Sequence, residues 1–98
     1  MKNAKEIRKT EKWGRTRYAK KVSEQLMKLT EEERKKAIKI IRENYKTDAT
    51  YNEYTKPFSV SKKNITFLVR ELVYSPPRAT GYSKWNRYES RKVVKPIN

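Results

Sequence analysis

Between Thr50 and Tyr74 the chain reads TYNEYTKPFSVSKKNITFLVRELVY, and the order of apolar residues in its second half constrains the fold more than any other stretch. Ile65, Leu68, Val69, Leu72 and Val73 follow the i, i+3, i+4, i+7, i+8 spacing of a helix with one buried stripe. Ser61 stands at the N-cap position, with a hydroxyl able to accept from a free amide of the first turn. Pro76 and Pro77 donate no ladder bond and end the segment. The other side of such a helix carries Lys62, Lys63, Asn64, Thr66 and Arg70, side chains of the kinds that read base edges and grip phosphates. A strand competes, because Ile65, Phe67, Val69, Glu71 and Val73 share one parity. It would bury Glu71 and leave Leu68 and Leu72 on the polar side, so the spacing predicts a helix.

Two further helices are signalled upstream. Tyr18, Val22, Leu26 and Leu29 recur at i, i+4, i+8 and i+11, which predicts an amphipathic helix over 16–29. Thr30 begins TEEE, a capping box in which Thr30 caps the amides and Glu33 reaches back. The three glutamates sit at the positive end of the dipole, and Ala37, Ile38, Ile41 and Tyr45 form the stripe of a 31–46 helix. Residues 1–14 offer only Ile7 and Trp13 as large apolar groups, which suggests a mobile arm or a loosely docked helix ending near Gly14. Residues 47–50 read as a connector. Thr50 can cap a brief helix through Tyr51, Glu53 and Tyr54 that Pro57 cuts off. Beyond Pro77 there is no clear period: Tyr82 to Val94 fits a short hairpin, and Tyr82, Trp85 and Tyr88 also fit a helix face.

Charge narrows the class of partner. The chain of 98 residues is long enough for one domain with a modest core, and it carries a net charge of +15. Residues 1–28 hold +7, residues 29–75 hold +3 and residues 76–98 hold +5, a folded middle between two cationic ends. Such an excess repels itself in a compact fold and suits a polyanion. Cysteine and histidine are both absent, which excludes disulfides, thiolate chemistry and the usual zinc sites, and removes the commonest general base. With Gly14 and Gly81 as the only glycines, a phosphate-cradling loop is not expected. No acid–base pair or metal cage emerges, so neither an enzyme nor a cofactor is expected. Nor is there an apolar run long enough to span a bilayer or an apolar leader, so no membrane partner is expected, and a cytoplasmic, nucleoid-associated setting suits the charge.

Taken as a unit, residues 50–72 resemble the helix-turn-helix of bacterial and phage DNA-binding proteins. Tyr54 and Phe58 take the apolar positions of the first helix, Val60 the turn, Ser61 the cap, and Ile65, Leu68 and Leu72 the buried positions of the second. The segment departs from the pattern at Thr55, at Ser59 in place of the turn glycine, and at Pro57. The resemblance implies a mainly α fold, a helix-turn-helix bundle, with a small C-terminal β-hairpin wing as one option. It divides the chain into a basic arm (1–14), a helical domain (15–75, with the motif at 50–74) and a basic aromatic tail or wing (76–98). It further implies a sequence-specific regulator of transcription or replication, a homodimer on double-stranded DNA, with the 16–29 helix pairing through Tyr18, Val22 and Leu26. The DNA-contacting residues would be Ser61, Lys62, Lys63, Asn64, Thr66 and Arg70, joined by Arg78, Lys84 and Arg87 from the tail. Two other readings fit the same charge: an RNA- or ribonucleoprotein-binding structural protein, whose tail rings stack on bases, and a phage-encoded inhibitor of a host nucleic-acid enzyme.

Overall fold

The 31–46 region folds as its caps dictate. In the computed structural model, which describes residues 3–74 and 86–97, helix α3 spans Glu31–Asn44 and begins with a complete capping box. The Thr30 amide donates to Glu33 Oε1 at 3.0 Å, and the Glu33 amide to Thr30 Oγ1 at 3.3 Å. Helix α2, Ala19–Met27, buries Val22 and Leu26, with Leu29 just beyond its end, so the predicted stripe is the packed one. Arg34 of α3 ties the two helices: its guanidinium donates to the carbonyl of Leu26, in the last turn of α2, and to that of Leu29 just beyond it, both at 3.1 Å.

Of the two alternatives for the N-terminal segment, a mobile arm or a loosely docked helix ending near Gly14, the structure has the docked helical one, and it is firmly packed. Helix α1 (Ala4–Thr10) starts where the Asn3 side chain accepts from the Glu6 amide at 2.9 Å, and a 3-10 helix (Lys12–Arg15) follows. Ile7 and Trp13 are both fully buried. Gly14 makes this turn possible, because a Cβ there would meet the Arg8 carbonyl oxygen at 2.2 Å. Glu11, itself buried, receives a two-pronged ion pair from Arg42 of α3, with Arg42 Nε to Glu11 Oε2 at 2.8 Å. Two apolar anchors and one such pair suffice to hold the segment.

The remainder is a sheet, so the expectation of a mainly α fold is corrected to α+β. Strands β1 (Lys46–Asp48), β2 (Glu53–Val60), β3 (Asn64–Tyr74) and β4 (Asn86–Pro96) form an antiparallel meander in the order β1-β2-β3-β4. The stretch that resembles a helix-turn-helix is the β2–β3 hairpin. Its supposed recognition helix is β3, and its supposed first helix is β2, preceded by a turn in which Asp48 Oδ1 accepts from the Thr50 amide at 3.0 Å and Asn52 adopts a φ of 54°. Pro57 interrupts no helix. It is buried in β2 beside a bulge between Pro57 and Ser59. Ser61 makes the bond expected of a cap, accepting from the Asn64 amide at 3.2 Å. Its own amide, however, donates to the Asn64 carbonyl at 2.8 Å, and the chain turns back.

Period-two burial explains why the strand wins. Ile65, Phe67 and Val69 are buried while Thr66, Leu68 and Arg70 between them are half-buried. Glu71, the residue that counted against a strand, is not sealed in the core: it accepts from Arg91 of β4 at 2.7 and 3.3 Å and stays partly exposed. Leu68 and Leu72 do lie on the outer face, half-exposed. The helices pack on the other face, closing one core of Ile7, Trp13, Val22, Leu26, Ala37, Ile41, Val60, Ile65, Phe67 and Val69. Where β1 ends, α2 takes over the edge of β2, and Gln25 Oε1 accepts from the Val60 amide at 2.7 Å. Because Val22 and Leu26 are consumed in this core, the 16–29 helix does not offer them to a second subunit. Of the C-terminal alternatives, a strand is observed over Asn86–Pro96; Arg78 and Lys84 lie outside the described residues. Among the described residues no helix is long and apolar enough to cross a membrane.

Candidate nucleic-acid interface

Strand pairing sorts the sheet's side chains onto two faces, and the sorting separates charge. Three cross-strand rows lie on the face away from the helices: Tyr54–Arg70–Ser90, Lys56–Leu68–Lys92 and Ser59–Thr66–Val94, with Leu72–Tyr88 beyond them. The sheet's acidic residues in the described strands, Asp48, Glu53, Glu71 and Glu89, all have the opposite parity. Among the described residues the strands' outer face therefore holds Lys56, Arg70 and Lys92 and no carboxylate. On the helix side, by contrast, Glu71 is paired with Arg91.

Rings and cations are paired across this outer face. Lys56 Nζ lies 4.4 Å from the centroid of Tyr54, two residues away on the same strand. The Arg70 guanidinium lies 4.4 Å from the ring of Tyr88, which is diagonal to it on β4. Arg70 Nε is buried, with no hydrogen-bond partner among the described residues. At the α2 corner the bulge presents Phe58, whose ring meets Tyr18 edge-to-face at 4.7 Å. Two lysines converge on that ring: Lys21 of α2 at 4.2 Å and Lys92 of β4 at 4.3 Å. Tyr88 and Val94 are exposed at 40% and 58%, so part of the face is open apolar surface. Cation–π contacts at such exposed sites contribute about 0.5–1 kcal/mol each. They fix the lysines near the rings without neutralising them.

The residues expected from sequence to touch DNA are divided by this arrangement. Thr66 and Arg70 lie in the outer-face rows. Ser61, Lys62, Lys63 and Asn64 form the exposed β2–β3 turn instead of the front of a helix. Glu33's carboxyl is held below its ordinary value first by the hydrogen bond from the Thr30 backbone amide, with the Lys62 charge as a smaller cause, so Lys62 stands near the start of α3. Arg87 of β4 pairs through its backbone with Val73 of β3; its side chain, like Arg78 and Lys84, lies outside what is described. Sequence reasoning missed Tyr54, Lys56, Phe58, Tyr88, Lys92 and Lys21 as one surface. A signal for it was present: in each of β2, β3 and β4 the acids occupy one parity and the outer-face cations the other.

Comparison of the chain with protein-family models, with curated proteins and with solved structures finds no match.

Proposed function

We propose that this protein binds nucleic acid through the uncovered face of its sheet, and that a single strand of RNA or DNA is the ligand the face fits. The observation that carries this reading is the pairing of Tyr54 with Lys56 and Tyr88 with Arg70 on a face where the described strands place no carboxylate. Unstacked bases present π-faces to such rings, and each stacked base contributes about 1–3 kcal/mol by alanine substitution. The cations beside the rings meet the phosphates that accompany each base. A net charge of +15 supplies long-range attraction for the same ligand. No catalytic role is needed for this activity, and a nucleic-acid ligand implies a cytoplasmic, nucleic-acid-associated setting.

A duplex-DNA regulator is the second reading, favoured by one feature. Glu71 through Tyr74 pair with β4 alone, beyond the last β2 pair at Tyr54–Arg70, and a two-stranded ribbon has the dimensions to enter a major groove. The two are separated by fluorescence anisotropy with labelled oligonucleotides. Under the first reading single strands bind more tightly than duplexes of the same sequence, and Tyr54→Ala and Tyr88→Ala each weaken single-strand binding by about 5- to 150-fold. A preference for one duplex sequence, indifferent to both tyrosines, supports the regulator and ends the first reading.

A further inference from the structure

The convergence of Lys21 and Lys92 on Phe58 calls for an anion. Both ammonium groups lie within 4.3 Å of one ring centroid, so they are closer together than about 10 Å, a Debye length at 0.1 M salt. Neither has a carboxylate partner among the described residues, although other surface cations do: Lys35 faces Glu31, Arg42 faces Glu11 and Arg91 faces Glu71. The two lysines come from different layers, α2 and β4, and are brought together by tertiary structure rather than by one basic run. Three local devices place them. The bulge turns Phe58 out of the alternation of β2, α2 lies along the free edge of β2 through the Gln25–Val60 bond, and Tyr18 braces the ring edge-to-face. A phosphate has oxygens on several sides and accepts from two ammonium groups at once, relieving their mutual repulsion.

We infer that Lys21 and Lys92 form a clamp for one backbone phosphate of the bound single strand, fixing the strand where α2 meets the sheet. This rests on the sheet face being the nucleic-acid surface. From that corner the rows lead across Lys56–Leu68–Lys92 to Tyr54–Arg70–Ser90, so a strand gripped at Phe58 runs toward Tyr54 and Tyr88.

The test measures binding of a labelled single-stranded oligonucleotide over a salt series, for the wild type, Lys21→Gln, Lys92→Gln and the double variant, with Lys35→Gln as a control. One phosphate on a single strand contributes about 0.7 to the slope of log K against log salt. The clamp predicts that the double variant loses about 0.7, that each single variant loses most of it, and that Lys35→Gln loses none. An unchanged slope, or independent losses summing to about 1.4, overturns the shared phosphate while leaving the sheet-face reading intact. Inorganic pyrophosphate provides the second arm, followed by NMR of the Phe58 and Tyr18 ring signals. If no oligonucleotide binds, the nucleic-acid reading falls and the backbone-phosphate clamp falls with it; pyrophosphate shifts in the wild type and not in the double variant would then mark the two lysines as a site for small anions instead.

Discussion

Truncating Phe67 should unfold this protein far more readily than truncating its neighbour Leu68, and the contrast tests the strand on which the outer face depends. Phe67 is 1% exposed, flanked across the sheet by Pro57 and Val93 and part of the single core closed by the helices. Its conversion to alanine removes a buried ring and leaves a cavity, a loss of about 3–5 kcal/mol. Leu68 faces outward and is half-exposed, so only part of its transfer energy is at stake, about 1 kcal/mol. With a denaturant slope of about 2 kcal/mol per M of urea, Phe67→Ala moves the unfolding midpoint down by about 2 M and Leu68→Ala by about 0.5 M. Far-UV circular dichroism in urea reads both. If Phe67→Ala does not fold, Ile65→Val provides a gentler buried test, with an expected loss of about 0.5–1.5 kcal/mol. A larger loss at Leu68 than at Phe67 is what a helical stripe of Ile65, Leu68 and Leu72 demands, and it would refute the period-two burial.

Three further outcomes follow from the same geometry. Gln25→Ala strips the acceptor from the Val60 amide at the free edge of β2, and thermal unfolding should show a loss of about 1–3 kcal/mol. Glu33 has its carboxyl lowered below 4.5 chiefly by the Thr30 backbone amide, so its contribution to stability is present above that value and lost as pH falls through the folded-state value. Glu33→Gln should therefore flatten the acid side of a melting-temperature profile, whereas an unchanged profile would show the cap to be idle. Arg42→Met leaves the buried Glu11 carboxylate without its guanidinium. The docked N-terminal segment should then open first, read as faster amide exchange at Ile7 and Trp13 than at Phe67.

How much of this was legible in the sequence depended on whether the deciding contacts were local. The capping box at Thr30 and the Val22–Leu26 stripe are local signals, and α2 and α3 fall within the 16–29 and 31–46 segments those signals mark. Both helices are shorter, though, and Lys46–Asp48, at the end of the second segment and the start of the expected connector, is strand β1. Over 61–74 the local signals were degenerate. A serine accepting from the amide three residues on begins a helix or closes a turn, and Ser61 does the second. Ile65, Leu68, Val69 and Leu72 fit a helical stripe because two leucines lie on the outer face, where partial exposure tolerates them. The objection that a strand would bury Glu71 dissolved on a partner twenty positions away, Arg91, that no spacing rule reveals. The docking of residues 3–15 likewise rests on Arg42, in another helix. For the interface, charge pointed to a polyanion, and Thr66 and Arg70 were named from a wrong secondary structure that nonetheless put them opposite the core. The rings of Tyr54, Phe58 and Tyr88 become one surface only after strand register is known.

The most direct measurement is an NMR titration of the labelled protein with a short single-stranded oligonucleotide. Shifts should concentrate at Tyr54, Lys56, Phe58, Arg70, Tyr88 and Lys92, while the outer side of α3, around Lys35 and Lys39, stays unchanged. Shifts centred on the helices, with the sheet face silent, would contradict the sheet-face reading.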